Sequence, residues 1–178
     1  MSLPDHGDLA DRILDAARRV VLQVGARRLS LTDVANLAGV SRPTVYRYFL
    51  SKDELIDALG KREYRRFNAA MQQAVAGVAG TARLEAAVDV VATFVEAQPP
   101  GRLIDLEPGF AHGQVAQVLP MITDALVAVL RCPRELAGAI ARIALSHYVF
   151  PDPDATAVRR EIRAAAGLPN TPLGRLSR

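Results

Sequence analysis

Apolar residues recur at steps of three and four along most of this chain and nowhere settle into a sustained alternation, so the pattern predicts an all-α protein. Leu9, Ile13, Leu14, Ala17, Val20, Val21 and Val24 give one apolar face to a helix from about Asp8 to Val24, ended by Gly25. Ser30 caps a second, short helix, with Asp33 three residues on and Val34, Leu37 and Ala38 on its inner face. Gly39 stops that helix, since glycine reaches the left-handed conformation that a sharp inter-helix turn needs. Ser41 caps a third helix, with Pro43 in its first turn, where a missing N–H costs nothing. There Val45 and Phe49 bury, which leaves Arg42, Thr44, Tyr46, Arg47 and Tyr48 facing outward. A short helix that shows arginines, tyrosines and a threonine to water presents hydrogen-bond donors, as a DNA-recognition helix does.

Ser51-Lys52-Asp53-Glu54 reads as a capping box that opens a long helix from about Ser51 to Ala76, ended by Gly77 and Gly80. At a rise of about 1.5 Å per residue this helix is longer than a three-helix head requires, so it passes into a second helical region. That region continues with helices over about Arg83–Gln98, Gln114–Leu130, from Pro133 to Phe150, and Asp154–Ala166. Pro120 either breaks the second of these or opens its second half. The spacing therefore divides the chain into a helix-turn-helix head over 1–50 and a larger helical domain over 51–178, with the linking helix at about 51–76.

Charge sharpens this division. The formal net charge is +3, and residues 1–66 hold twelve Lys or Arg against nine Asp or Glu, whereas residues 67–178 hold ten of each. The basic excess thus sits with the exposed helix. The other face of the first helix carries Arg12, Arg18 and Arg19, which read as solvated surface. No long uncharged apolar run spans a membrane, and the acidic residues near Met1 do not make a secretory signal, so a cytoplasmic protein is expected. The single cysteine, Cys132, fits a reducing compartment.

Catalytic chemistry finds no support. The chain has no glycine-rich phosphate loop, no nucleophile elbow and no helical His-Glu-x-x-His, so a non-enzymatic protein is expected, without cofactor or metal. His112 lies near Asp105 and Glu107, but at no spacing that metal sites use, and His6 and His147 have no partner pattern.

Ser30-Leu31-Thr32-Asp33-Val34-Ala35, Ala38-Gly39-Val40-Ser41, Pro43-Thr44-Val45-Tyr46, Tyr48-Phe49 and Ser51-Lys52-Asp53-Glu54-Leu55 fall in one ungapped run. In these residues the chain resembles the TetR family of transcriptional regulators, over about fifty residues including the first helix. The resemblance implies a homodimer with two heads on a palindromic double-stranded operator, and repression relieved by a small molecule. It also implies that Arg42, Pro43 and Thr44 approach bases while Tyr46, Tyr48 and Lys52 hold phosphates. Those roles suit the chemistry: arginine bonds a guanine edge bidentately, proline and threonine pack on a thymine methyl, and hydroxyls and an ammonium take phosphate oxygens. Ser30, Thr32 and Ser41 stand at helix N-termini suited to phosphate, and Arg42 and Arg47 are the positions for operator preference.

For the larger domain, the resemblance implies dimerisation through the last two long helices. Leu136, Ile140, Ala141, Ala144, Leu145 and Tyr148 are the interface candidates. Phe94, Phe110 and Met121 are candidates to line a pocket for an apolar or amphipathic effector. A helix-turn-helix protein without a small-molecule ligand, constitutive or regulated by a partner, is the alternative.

Overall fold

In a computed structural model of the chain, residues 6–97, 108–150 and 152–169 are described, and the side chains at 6, 7, 108–112 and 114 lie outside that description. All the regular structure in the described residues is helical: α1 (His6–Val24), α2 (Leu31–Ala38), α3 (Arg42–Tyr48), α4 (Lys52–Ala74), α5 (Gly80–Glu96), α6 (Pro108–Leu130), α7 (Arg134–Val149) and α8 (Ala157–Ala165). None of them is long and apolar enough to cross a membrane. Two compact units result, one built on residues up to Arg66 and the other on residues from Phe67, so α4 contributes to both.

In the first unit α1 packs on α2 and α2 on α3. Ile13, Ala17, Val34, Ala35, Val45, Phe49 and Leu55 fill its core. The buried stripe of α2 is Val34, Ala35 and Ala38, whereas Leu37 is largely exposed. The expected inner position of Leu37 is thus corrected, because the eight-residue helix turns Ala35 and not Leu37 into the head core.

In the second unit α5, α7 and α8 pack against one another in all three pairs. Met71, Val88, Val91, Leu126, Ile140 and Ile162 lie in one core. Some expected boundaries shift. The helix expected from Gln114 begins at Pro108 and runs through Pro120 without a break. Near that proline the Thr123 hydroxyl donates to the Leu119 carbonyl at 2.8 Å, and Leu126 and Val129 anchor the following turns in the core. The last helix begins at Ala157, because the Asp154 carboxylate accepts from the N–H and the hydroxyl of Thr156 and holds residues 154–156 in a turn.

Arginines tie the helices of this unit together. Arg83 donates from Nε to the Val129 carbonyl at 2.6 Å and from Nη1 to the carbonyls of Val75 and Val78 at 3.2 and 3.3 Å. Arg159 bridges α8 to Asp89 and Glu96 on α5, and Arg163 reaches Glu85 on the same helix at 3.1 Å. The Arg159 pairs hold its guanidinium above its ordinary pKa, with the Glu96 hydrogen bond as the main cause.

Candidate nucleic-acid interface

The geometry of the helix-turn-helix follows from its caps. Ser30 Oγ accepts from the Thr32 N–H at 3.1 Å and starts α2. Gly39, at φ +67°, ends it in the left-handed region, with its N–H on the Asn36 carbonyl and the Val40 N–H on the Ala35 carbonyl. This double bond pattern fixes the turn and leaves two residues before the next helix. Ser41 Oγ then accepts from the Thr44 N–H at 3.3 Å and shares a 2.8 Å hydrogen bond with the Thr44 hydroxyl. Pro43 stands in the first turn. The α3 axis is thereby set by two serine caps and one left-handed glycine.

On α3, Val45 is fully buried and Phe49 follows it into the core, as the pattern requires. Ser41, Arg42, Pro43, Tyr46 and Arg47 are exposed, and Thr44 and Tyr48 are half-buried, Tyr48 packing against the head core. The Arg42 guanidinium lies over the Tyr46 ring, 5.8 Å from its centroid, and that of Arg47 lies over Tyr48 at 5.5 Å. Each stack holds an arginine against a ring one helical turn or one residue away, which reduces the rotamer freedom lost on binding. No acidic residue lies on α3 to neutralise them. The surface is a short helix with two oriented guanidiniums, two phenols and a threonine, suited to a nucleic-acid groove and to phosphate oxygens.

The candidates around α3 carry additional duties. The Thr32 N–H is occupied by Ser30, so Thr32 offers its hydroxyl. Lys52 Nζ donates to the Arg27 carbonyl at 3.0 Å and so pins the loop between α1 and α2 to the start of α4. The capping box forms with one change: Ser51 Oγ accepts from the Glu54 N–H at 3.1 Å, while Glu54 Oε2 accepts from the Leu50 N–H at 2.7 Å, one residue earlier than the usual partner. The tip between α3 and α4 is thus held by side chains although Leu50 itself is 77% exposed.

Two arginines also hold the head. Arg12 Nη2 donates to the Ala38 carbonyl at 2.8 Å, so it is not merely solvated surface. Arg62 is 7% exposed and donates from Nη1 to the Asp11 carbonyl at 3.0 Å and from Nη2 to Asp15 Oδ1 at 2.8 Å. The one sequence signal for Arg12 was its place beside Ile13, on the border of the buried face.

The second-unit candidates separate. Ile140, Ala141 and Ala144 are buried inside their own unit, Ile140 and Ala141 completely, because α5 and α8 both cover that side of α7. They are therefore corrected from interface to core. Leu136, Leu145 and Tyr148 stay half-exposed. Phe94 packs edge-to-face on Phe67, with centroids 5.3 Å apart. Met121 is exposed, and the Phe110 side chain, like Asp105, Glu107 and the His112 ring, lies outside the described set. A groove of about 330 Å³ runs between α6 and α7, with Leu119, Pro120, Thr123, Arg134, Gly138 and Arg142 in its wall. Neither Phe94 nor Met121 lines it.

Comparison with known proteins agrees with this geometry. The family described as bacterial regulatory proteins, tetR family, matches residues 13–59, which run from α1 through the start of α4. An HTH-type transcriptional regulator from Mycobacterium tuberculosis is 42% identical over 69 residues, covering 39% of this chain and 34% of that protein. The HTH-type transcriptional activator FasR from Mycolicibacterium smegmatis is 32% identical over 116 residues, 64% of this chain and 53% of its own length. The chain thus spans between about a third and about half of these curated relatives. A TetR transcription regulator from Haloarcula marismortui has the same fold over 90% of this chain and 96% of its own, with a TM-score of 0.71 at 18% identity. The head over residues 13–59 thus belongs to the TetR family of bacterial regulatory proteins, and the chain shares its fold with a TetR regulator along nearly its whole length.

Proposed function

We propose that this regulator is a ligand-responsive repressor that binds a palindromic operator as a homodimer and is released by a small apolar or amphipathic molecule. The observation that carries the DNA part is the outward face of α3, where Arg42 and Arg47 are stacked on Tyr46 and Tyr48 between firm caps. Arg42, Pro43, Thr44 and Arg47 read bases; Ser30, Thr32, Ser41, Tyr46, Tyr48 and Lys52 hold phosphates. Two heads enter successive major grooves when they stand about 34–36 Å apart. The half-exposed Leu136, Leu145 and Tyr148 support a contact between copies along α7.

The ligand response rests on α4, whose 23 residues serve both compact units. An effector bound among the helices of the second unit shifts α4, alters the head spacing and lowers operator affinity. By linkage the operator then lowers effector affinity by the same factor. FasR is named an activator, so the direction of control is read in the same test.

That test selects duplexes from a random-sequence pool with the full chain, then places the selected site upstream of a reporter. A palindrome with half-sites one helical turn apart and lower expression supports the repressor. No selected sequence overturns the DNA reading, and raised expression makes the protein an activator.

A further inference from the structure

We propose that Arg12 is a positioning residue for sequence reading: it fastens the turn before α3 to the same stretch of α1 that Arg62 fastens to α4. The inference rests on the reading of α3 as the DNA-contacting helix. After Gly39 the chain leaves the helical path, so the last carbonyls of α2 lose their intrahelical partners. The turn itself satisfies those of Ala35 and Asn36. The Ala38 carbonyl is satisfied from outside, by Arg12 Nη2 at 2.8 Å. The same nitrogen lies 3.6 Å from the place a Cβ would take at Gly39, so the guanidinium rests directly against the left-handed glycine. Among the described residues no carboxylate pairs with Arg12, and its charge faces the negative end of α2.

The adjoining residue completes the link. The Asp11 carbonyl accepts from Arg62 Nη1 at 3.0 Å, and Asp15, one helical turn on, accepts from Arg62 Nη2 at 2.8 Å. Consecutive residues of α1 therefore hold α4 on one side and the α2–α3 turn on the other, all within the first unit. Groups that recognise a ligand must be held within about 0.5 Å and 10–20°. Arg42 begins α3 only three residues beyond Gly39, so looseness at the turn becomes misalignment of Arg42 and Arg47. Arg12 acts through the backbone and does not touch DNA.

The experiment compares the full chain with Arg12→Gln and Arg12→Lys on two duplexes: one selected by the wild type from a random pool, and one of equal length and random sequence. Glutamine is too short to span the bond, so Arg12→Gln is expected to lose about tenfold in affinity for the selected duplex. Its affinity for the random duplex, and the salt dependence of that affinity, are expected to stay unchanged, and Arg12→Lys recovers part of the loss. Amide exchange supplies a readout independent of DNA: the N–H groups of Gly39 and Val40 exchange faster in Arg12→Gln, while those of residues 13–20 keep their protection. An equal loss on both duplexes, with a salt slope lower by about one, makes Arg12 a phosphate contact and overturns the proposal. Unchanged specific affinity, or faster exchange throughout α1, overturns it as well. If the wild type selects no sequence, the underlying DNA reading falls and the proposal with it.

Discussion

Lys52 Nζ donates to the carbonyl of Arg27, 3.0 Å away and 25 residues earlier in the chain. The ammonium has three donors, so this bond leaves capacity for a phosphate. Lys52→Ala is therefore expected to have two separable effects. The slope of log affinity against log salt falls by about one for every duplex tested. Loss of the loop bond lowers unfolding free energy by about 1 kcal/mol, read from urea melts without DNA. An unchanged salt slope would limit Lys52 to holding the loop.

Arg42 and Tyr46 call for different substitutions because one stacks on the other. Arg42→Ala removes the guanidinium and is expected to relax preference at one base pair, at a cost of about 1–3 kcal/mol for the selected site. Tyr46→Phe keeps the ring and the stack and removes only the hydroxyl, so it weakens selected and random duplexes alike. Competition binding against single-base variants of the selected site distinguishes the two patterns.

Ile140 and Leu145 stand on the same helix in opposite circumstances, the first wholly buried and the second half-exposed. Ile140→Glu places a carboxylate in a core without a partner and is expected to unfold the second unit. Leu145→Glu is expected to leave the helical circular dichroism intact and halve the mass found by light scattering. A folded dimer in Leu145→Glu would move the interface away from this side of α7.

Asp154 opens the turn before α8, and its carboxyl is held well below the ordinary value of 3.8, first by the Thr156 hydroxyl and then by Arg160. A carboxyl depressed in the folded state adds stability that is present above its unfolded pKa and is lost as pH falls through the folded one. Wild type is therefore expected to exceed Asp154→Asn in stability at pH 7. The gap closes as the pH falls below about 4, where the unfolded carboxyl takes up its proton. Urea melts of both proteins from pH 7 to pH 2 check the sign, and a gap that widens on acidification would contradict it.

The head was legible in the sequence because its geometry is set locally. Ser30, Gly39, Ser41 and Ser51 each act within five residues of themselves, and their caps form where spacing placed them. Leu37 was misplaced because an eight-residue helix has two possible apolar edges, and packing in the head core decides which one is covered. Arg12 and Arg62 could not be read for the same reason at longer range: their acceptors lie 26 and 51 residues away. Ile140, Ala141 and Ala144 were correctly seen as an apolar face. Spacing alone could not say that α5 and α8 of the same chain would cover it, leaving no such surface for a second copy.

Arg83 joins three carbonyls, those of Val75 and Val78 after α4 and that of Val129 in the last turn of α6. One cation thus closes two helix ends that would otherwise fray separately. The final turns of α4 and α6 are therefore expected to open together, their amides sharing one exchange free energy that drops together in Arg83→Met. The end of the helix that carries the head therefore has its local unfolding tied to a segment more than fifty residues further along the chain.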